Sequence, residues 1–136
     1  LYLGNLNAKR DWGHAKDYVE MQWRILQQSK PQDYVIASGK TYTVRHFINV
    51  AAKILGINIL WSGKGLNEIG YTKIKGKKKI IVRIDQKYFR PNEVNYLLGD
   101  ATKAFKTLKF KPKFTFFDLV KDMIESDLKL AKKEMI

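Results

Sequence analysis

The sequence of 136 residues predicts a mixed α/β fold. Three segments repeat apolar residues at three- and four-residue spacing, which is typical of amphipathic helices. Short apolar runs bounded by glycine, proline or aspartate lie between these segments, and such runs are typical of strands. No internal repeat or low-complexity linker interrupts the order, so we expect one compact unit over residues 1–136.

The first part of the chain is expected to alternate strand and helix. Residues 1–3 are apolar and run into a turn, and we interpret them as the end of a strand whose earlier part is missing. A helix is predicted over residues 14–28, with Asp11 as a cap near its start. Residues 34–37 are predicted to form a short buried strand. The expected apolar face of the helix consists of Ala15, Tyr18, Val19, Trp23 and Leu26.

A second helix is predicted to follow Thr43, whose hydroxyl can cap its first turn, and to end at Gly56. The next apolar run, residues 57–61, has strand character. The face that this helix buries is expected to contain Val44, Phe47, Ile48, Ala51 and Leu55.

Five lysines cluster at a predicted hairpin. Residues 71–75 and 80–85 are expected to form its strands, with the turn at Gly76. We interpret the lysines as a solvated connection, because lysine protects strand edges from pairing with other chains. They are Lys73, Lys75, Lys77, Lys78 and Lys79.

The last part of the chain is expected to form two helices. Asp100 can cap a short helix over residues 102–108. Thr115 and Asp118 resemble a capping box at the start of the final helix. The buried stripe of that helix is predicted to consist of Phe117, Val120, Ile124 and Leu128.

Composition limits the classes of function. The sequence contains no cysteine, which excludes disulfides and thiolate metal sites, and its two histidines are too few for a histidine-built zinc site. No apolar run approaches the roughly 20 residues needed to cross a bilayer, so we expect a soluble cytoplasmic protein with no membrane partner. The net charge of +13 implies an anionic partner or a surface that attracts anions.

Two phosphate-binding motifs are incomplete. The segment that begins at Gly39 resembles the end of a P-loop, but Tyr34 stands where the motif needs its first glycine. Gly63 and Gly65 match half of a dinucleotide fingerprint, but Glu68 occupies the position of the third glycine. We therefore predict no cofactor-binding residues in this chain.

No catalytic residue is predicted either. Tyr71 and Lys75 have the spacing of the catalytic pair of short-chain dehydrogenases, but that chemistry needs both side chains on one helix face. The neighbouring residues favour a strand, in which the two side chains would lie far apart. No nucleophile, base and acid stand out by spacing, and such triads are defined by geometry rather than by sequence position.

Four parts of the sequence contain distinctive segments. They are LGNLNAKRDWGHAKDYV at 3–19, DYVIASG at 33–39 with TVRHF at 43–47, YFRPNEV at 88–94 and LGDATKA at 98–104. In this order they resemble the GDP-mannose 4,6-dehydratases, which are extended short-chain dehydrogenases/reductases. The first segment is the most specific, because related sugar-nucleotide epimerases share only its Arg-Asp-aromatic part.

The resemblance implies the C-terminal, substrate-binding portion of an extended short-chain dehydrogenase/reductase, with the Rossmann half missing. In the family the missing half binds NADP and carries the catalytic residues. The implied reaction converts GDP-mannose to GDP-4-keto-6-deoxymannose, on the route to GDP-fucose and other deoxyhexoses. The resemblance further implies that the full-length parent is a homo-oligomer, and that this fragment alone is inactive and prone to associate.

Candidate binding residues follow by analogy with the family. Arg10 and Arg90 are assigned to the pyrophosphate, because the planar guanidinium can engage two phosphate oxygens. Lys9 and Arg45 are further candidates for phosphate or guanosine, and Glu93 for ribose or guanine. Each also has a structural alternative: Arg10 could pair with a neighbouring aspartate, and Glu93 could be an ordinary surface residue.

Two other functions stay open at this point. A related GDP-sugar epimerase or reductase would share the same binding half. A basic nucleic-acid-binding module would explain the net charge, but it should interleave arginines and aromatics on one face. The lysines cluster apart from the aromatics instead, which argues against a nucleic-acid partner.

Overall fold

The structure is a computed structural model that describes residues 1–90 and 92–134. Within these residues the chain is α/β, as predicted. Its strands are β1 (Tyr2–Leu3), β2 (Lys9–Arg10), β3 (Tyr42–Thr43), β4 (Leu60–Ser62), β5 (Ile69–Ile74) and β6 (Lys77–Ile84). Its α-helices are α1 (Ala15–Leu26), α2 (Val44–Ile54), α3 (Thr102–Leu108) and α4 (Phe116–Glu134).

The chain divides into two compact units. We call the first, residues 1–9 and 43–95, the sheet unit, and the second, residues 10–42 and 96–136, the helical unit. The sequence was expected to form a single GDP-sugar-binding region, and that functional assignment stays a prediction.

A four-stranded sheet organises the sheet unit, in the order β1-β6-β5-β4. The first strand is parallel to β6, with Leu3 opposite Ile84, and the other neighbours are antiparallel. The β5–β6 hairpin turns at Lys75 and Gly76, which both have positive φ, as the tight hairpin turns that match sheet twist require. The predicted initial strand and the predicted hairpin are both confirmed.

Helix α2 has the predicted ends. The hydroxyl of Thr43 accepts from the backbone amide of His46 at 3.0 Å, and Gly56 follows the helix with a φ of +70°. The strand expected over residues 57–61 is shorter than predicted. The amide of Ile57 bonds back to the carbonyl of Ala52 at 2.8 Å and belongs to the helix terminus, so β4 begins only at Leu60.

The core of the helical unit joins α1 to α3 and the segment after it. Its buried cluster consists of Met21, Ala104, Leu108 and Phe110. The capping box of α4 is confirmed, because Thr115 and Asp118 exchange hydrogen bonds between side chain and backbone amide. None of the described helices is long and apolar enough to span a bilayer.

The predicted apolar face of α1 is wrong. Val19, Trp23 and Leu26 are 62%, 61% and 79% exposed, whereas Asp17 and Met21 are buried. The reason is a long-range contact: the Asp17 carboxylate accepts the backbone amides of residues 113 and 114, at 3.1 to 3.2 Å. A buried carboxylate needs such donors, and these hydrogen bonds fix the side of α1 that carries Asp17 inward. The opposite side of the helix therefore faces outward.

Two further expectations need correction. Residues 34–37 are extended without strand pairing among the described residues, although Ala37 is buried. The stripe predicted for α4 is only partly buried: Val120 is fully covered, but Phe117 and Leu128 are 50% and 42% exposed. The apolar pattern alone could not show that these positions stay partly exposed within residues 1–90 and 92–134.

Candidate functional site

Asp11 organises the segment around Arg10. Its carboxylate accepts the amide and the hydroxyl of Ser38 at 2.9 and 2.6 Å, and the amides of Gly39 and Gly99 at 2.9 and 3.4 Å. Asp11 is therefore not the helix cap that its position suggested. It connects three loops of the helical unit and fixes the backbone next to Arg10.

A cavity of about 320 Å³ opens beside Asp11. Arg10 lines one wall, Tyr18 another, and apolar residues supply most of the rest. Partial burial, followed by the negative charges of Asp11 and Asp17, raises the pKa of the Tyr18 hydroxyl above its ordinary value. At neutral pH this hydroxyl is a hydrogen-bond donor, so the cavity offers one cation and one neutral donor. The remaining lining residues are Val35, Ile36, Ala37, Leu97, Leu98 and Gly99.

Three candidate residues of the sheet unit lie on two segments that run side by side. The amide of Asp85 bonds to the carbonyl of Leu3 at 2.9 Å, and the amide of Lys9 bonds to the carbonyl of Asn95 at 2.8 Å. The segment that begins at Leu3 and ends at Lys9 is thus held along the segment that contains Arg90 and Glu93. Arg90 is exposed and Glu93 is half-buried.

Gly4 allows this close approach. A Cβ atom at Gly4 would lie 2.1 Å from the carbonyl oxygen of Tyr88, so the two backbones could not lie this close with any other residue there. The contact is two residues from Arg90 in the chain. Pro91, which follows Arg90, lies outside the described residues.

Arg45 occupies a different environment. Its guanidinium forms a two-pronged ion pair with Glu68, donates a hydrogen bond of 3.1 Å to the side-chain oxygen of Asn7, and lies 4.8 Å from the centre of the Trp61 ring. The indole of Trp61 in turn donates to Asn49 at 2.9 Å. These contacts give Arg45 a structural role in the sheet unit. Its assignment to phosphate or guanosine stays a prediction.

Arg10 belongs to the helical unit and Arg90 to the sheet unit. The predicted convergence of the two guanidinium groups on one pyrophosphate stays a prediction, as do the roles of Lys9 and Glu93. The residue that sequence reasoning missed is Asp11, because its partners are 27 to 88 residues away in the chain. The Ser-Gly pair at 38–39 was the available signal, since a tight turn exposes adjacent amides.

His14, and not the expected Asp11, caps α1. Its Nδ1 accepts the amide of Lys16 at 3.1 Å, its Nε2 lies 3.2 Å from Asp122, and its ring stacks on Phe114 at 4.2 Å. Lys16, followed by His14, holds the pKa of the Asp122 carboxyl below its usual range. This arrangement is a helix cap and gives no sign of a catalytic base.

The structure supports the rejection of two motifs. Tyr71 lies in β5 and Lys75 in the hairpin turn, so they do not share a helix face. The amide of Gly39 already binds the chain's own Asp11 carboxylate instead of pointing into a phosphate cradle. Among residues 1–90 and 92–134, no group of three or more histidines and carboxylates could hold a metal ion.

Comparisons with known proteins give one consistent result. Residues 1–123 match the family described as GDP-mannose 4,6 dehydratase. The GDP-mannose 4,6 dehydratase of Drosophila melanogaster is 51% identical over 98% of this chain. Two solved structures have similar folds at low sequence identity. They are UDP-glucose 4-epimerase with UDP-glucose from Thermotoga maritima (TM-score 0.70, 18% identity, 96% of this chain and 35% of that one) and RMD from Pseudomonas aeruginosa complexed with NADPH (TM-score 0.68, 17% identity, 92% and 34%).

The chain spans only part of these proteins. It covers 33% of the Drosophila melanogaster protein, and similar shares of the two solved structures. The matched length therefore corresponds to about a third of each relative.

Proposed function

This chain belongs to the GDP-mannose 4,6-dehydratase family, and we propose that it forms the GDP-sugar-binding part of an enzyme that converts GDP-mannose to GDP-4-keto-6-deoxymannose. The observation that carries this proposal is the pairing of the segment ending at Lys9 with the segment containing Arg90 and Glu93. It places two cations and a carboxylate on neighbouring backbone segments, which suits a nucleoside diphosphate.

The chemistry of the ligand explains the proposed roles. A diphosphate carries about two negative charges, and an arginine fork can donate to two of its oxygens at once. Arg90 and Arg10 would hold the phosphates, with Lys9 adding positive charge. Glu93 would accept hydrogen bonds from ribose or guanine, which both carry donors. Binding of this kind orients the sugar and supplies no redox or proton-transfer step.

The described residues do not fit the NADP that the family uses. Gly65 opens a single 3₁₀ turn (Gly65–Asn67), not a helix whose first amides could receive a pyrophosphate, and Glu68 occupies the position of the third glycine. We assign NADP and the lyase chemistry to other parts of the whole protein. The 136-residue chain alone is expected to show no turnover of GDP-mannose with added NADP, and measurable turnover would contradict this assignment.

The same reasoning predicts that the isolated chain self-associates. The α1 face with Val19, Trp23 and Leu26 is exposed, and residues 34–37 lack strand pairing among the described residues. We propose that the Rossmann half covers both in the whole protein. Light scattering should therefore detect self-association of the chain that a Trp23→Ser, Leu26→Ser variant reduces.

GDP titration of the full-length protein tests the binding assignment. Arg90→Ala is expected to weaken GDP binding by about 30- to 150-fold, because a charged hydrogen bond is worth about 2 to 3 kcal/mol. Arg83→Ala is the matched control, since Arg83 is an exposed arginine of the same unit. Equal affinities of the Arg90→Ala variant and the wild type would show that the assignment of Arg90 is wrong.

A double-mutant cycle tests whether Arg10 and Arg90 share one pyrophosphate. If both bind it, Arg10→Ala should also weaken GDP binding, and the two losses should not add. Additive losses would indicate independent sites. Product analysis separates the remaining alternative: a 4-keto-6-deoxy sugar supports the dehydratase, whereas an epimerised or reduced sugar supports a related GDP-sugar enzyme.

A further inference from the structure

The hairpin of the sheet unit extends beyond its sheet. β4 pairs with β5 only as far as Tyr71, and β1 pairs with β6 only at Arg83 and Ile84. Residues 72–79 therefore pair only with each other in the described sheet, and we call them the lysine ribbon. Each strand of the ribbon is up to four residues long, which corresponds to a length of about 13 Å.

The positive charge of the lysine ribbon is not balanced by a carboxylate among the described residues, although Lys78 lies over the Tyr71 ring at 4.2 Å. It holds five lysines, and no aspartate or glutamate occurs between Glu68 and Asp85. No ion pair to these five lysines occurs among residues 1–90 and 92–134. Lys73 lies directly opposite Lys78, and like charges at such positions destabilise a strand pair. An anionic partner would relieve this repulsion.

The charge is concentrated in one unit. The sheet unit contains twelve lysines and arginines against three acidic residues, a net charge of +9, whereas the helical unit contains fourteen against ten, a net charge of +4. Nearly half of the cations of the sheet unit lie within the eight residues of the lysine ribbon.

The residue types distinguish among anionic partners. The ribbon contains lysines but no arginine. It therefore presents positive charge without the planar guanidinium groups that bind phosphates and bases through paired hydrogen bonds. Ile74, beside the turn, is 50% exposed, and Ile80 is 36% exposed. Exposed apolar side chains among lysines suit the boundary between lipid headgroups and acyl chains, where lysine stems also pack favourably.

We propose that the lysine ribbon docks the protein on a membrane surface that contains anionic lipids. Lysines lie on both faces of the ribbon and at its tip, so an approach with the tip first brings them within about one to two Debye lengths of the surface. Each lysine near such a surface strengthens binding by about fivefold. The earlier expectation of no membrane partner rested on the lack of a spanning segment, and surface docking needs none.

Vesicle sedimentation with the full-length protein tests this proposal. Wild type is expected to bind phosphatidylcholine vesicles that contain phosphatidylserine, but not pure phosphatidylcholine vesicles, and to dissociate when salt shortens the Debye length to about 3 Å. Replacement of the five ribbon lysines by glutamine should weaken binding by at least about tenfold. A variant with all five replaced by arginine should keep binding within about threefold, since the charge is retained.

A matched control removes the same charge elsewhere. Five exposed lysines of the helical unit are replaced by glutamine, and this variant should lose less than about threefold, because its ribbon is intact. The control positions are Lys30, Lys106, Lys111, Lys132 and Lys133. An equal loss in the control and ribbon variants would mean that net charge alone causes binding, and would overturn the proposal.

Two other results would overturn it. Absence of vesicle binding by the wild type would exclude membrane docking, and tighter binding to a single-stranded oligonucleotide than to the anionic vesicles would identify a nucleic-acid surface instead. GDP affinity should be unchanged in the ribbon variant, because none of its five lysines is assigned to the nucleotide. The docking proposal and the GDP-sugar proposal can therefore fail separately.

Discussion

Each of the two units is stabilised internally by a different kind of hydrogen bond. In the sheet unit, strands β1, β4, β5 and β6 join distant segments through backbone pairs. In the helical unit, the carboxylates of Asp11 and Asp17 accept the amides of distant loops. Backbone groups are present whatever the side chain, whereas a carboxylate can be removed by one substitution. The helical unit should therefore be more sensitive to point mutation.

The largest effect is expected for Asp17→Ala. The substitution leaves the amides of Lys113 and Phe114 without an acceptor in a partly buried position, so the free energy of unfolding should fall by about 3 kcal/mol. Urea denaturation measures the change. Asp127→Ala, on the exposed side of α4, is the control and should change stability by less than about 0.5 kcal/mol. Equal effects of the two variants would contradict the comparison.

The second effect concerns the partly buried ion pair of Arg45 and Glu68 in the sheet unit. A double-mutant cycle of Arg45→Ala and Glu68→Ala is expected to give a coupling energy of about 1 to 2 kcal/mol, because the pair is two-pronged and mostly covered. An exposed pair would give about 0.5 kcal/mol. Lys121 and Glu125 on α4 form such an exposed pair and provide the control cycle.

The third effect tests the backbone of the hairpin. Gly76→Ala should lower the free energy of unfolding by about 1 kcal/mol, since φ at this position is +76°. Lys75→Asn should instead raise it by a few tenths of a kcal/mol, because an Asn-Gly pair is favoured in this turn. Thermal denaturation of each variant measures whether the free energy of unfolding falls or rises. No change in either variant would show that the turn does not control the stability of the sheet unit.

The smallest effect is the response to acid. Hydrogen bonds from Thr115 hold the pKa of Asp118 below its ordinary value, and those from Lys113 and Arg24 do the same for Glu20. Both carboxylates therefore contribute stability above the unfolded pKa of about 4, and the contribution is lost as pH falls through the lower folded pKa. Both lie in the helical unit, so its amides should exchange hydrogen faster than those of the sheet unit below about pH 4. Simultaneous loss of protection in both units would count against the comparison.

Local signals predicted the sheet unit better than the helical unit. The Lys-Gly turn at residue 76, the Thr43 cap and the glycine after α2 each act within a few residues, and each was predicted from its own neighbourhood. The face of α1 depends on Asp17, whose partners are 96 and 97 residues away. The helical periodicity of apolar residues predicted that Asp17 would face solvent, because a local pattern contains no information on distant backbone amides.

The candidate site shows the same limit. Distinctive sequence segments identified the family, which the comparisons confirmed. The same segments supplied the candidate residues from Lys9 to Glu93. They did not show that Arg45 is already paired with Glu68, or that Asp11 binds two distant loops. Both facts depend on tertiary contacts between segments more than 20 residues apart.

The cap on α1 also determines which nitrogen of its imidazole carries the proton. Since Nδ1 of His14 receives the amide of Lys16, the neutral ring keeps its hydrogen on Nε2 and directs it to Asp122. Nitrogen NMR shifts of this single ring would therefore report whether the N-terminal end of α1 is intact.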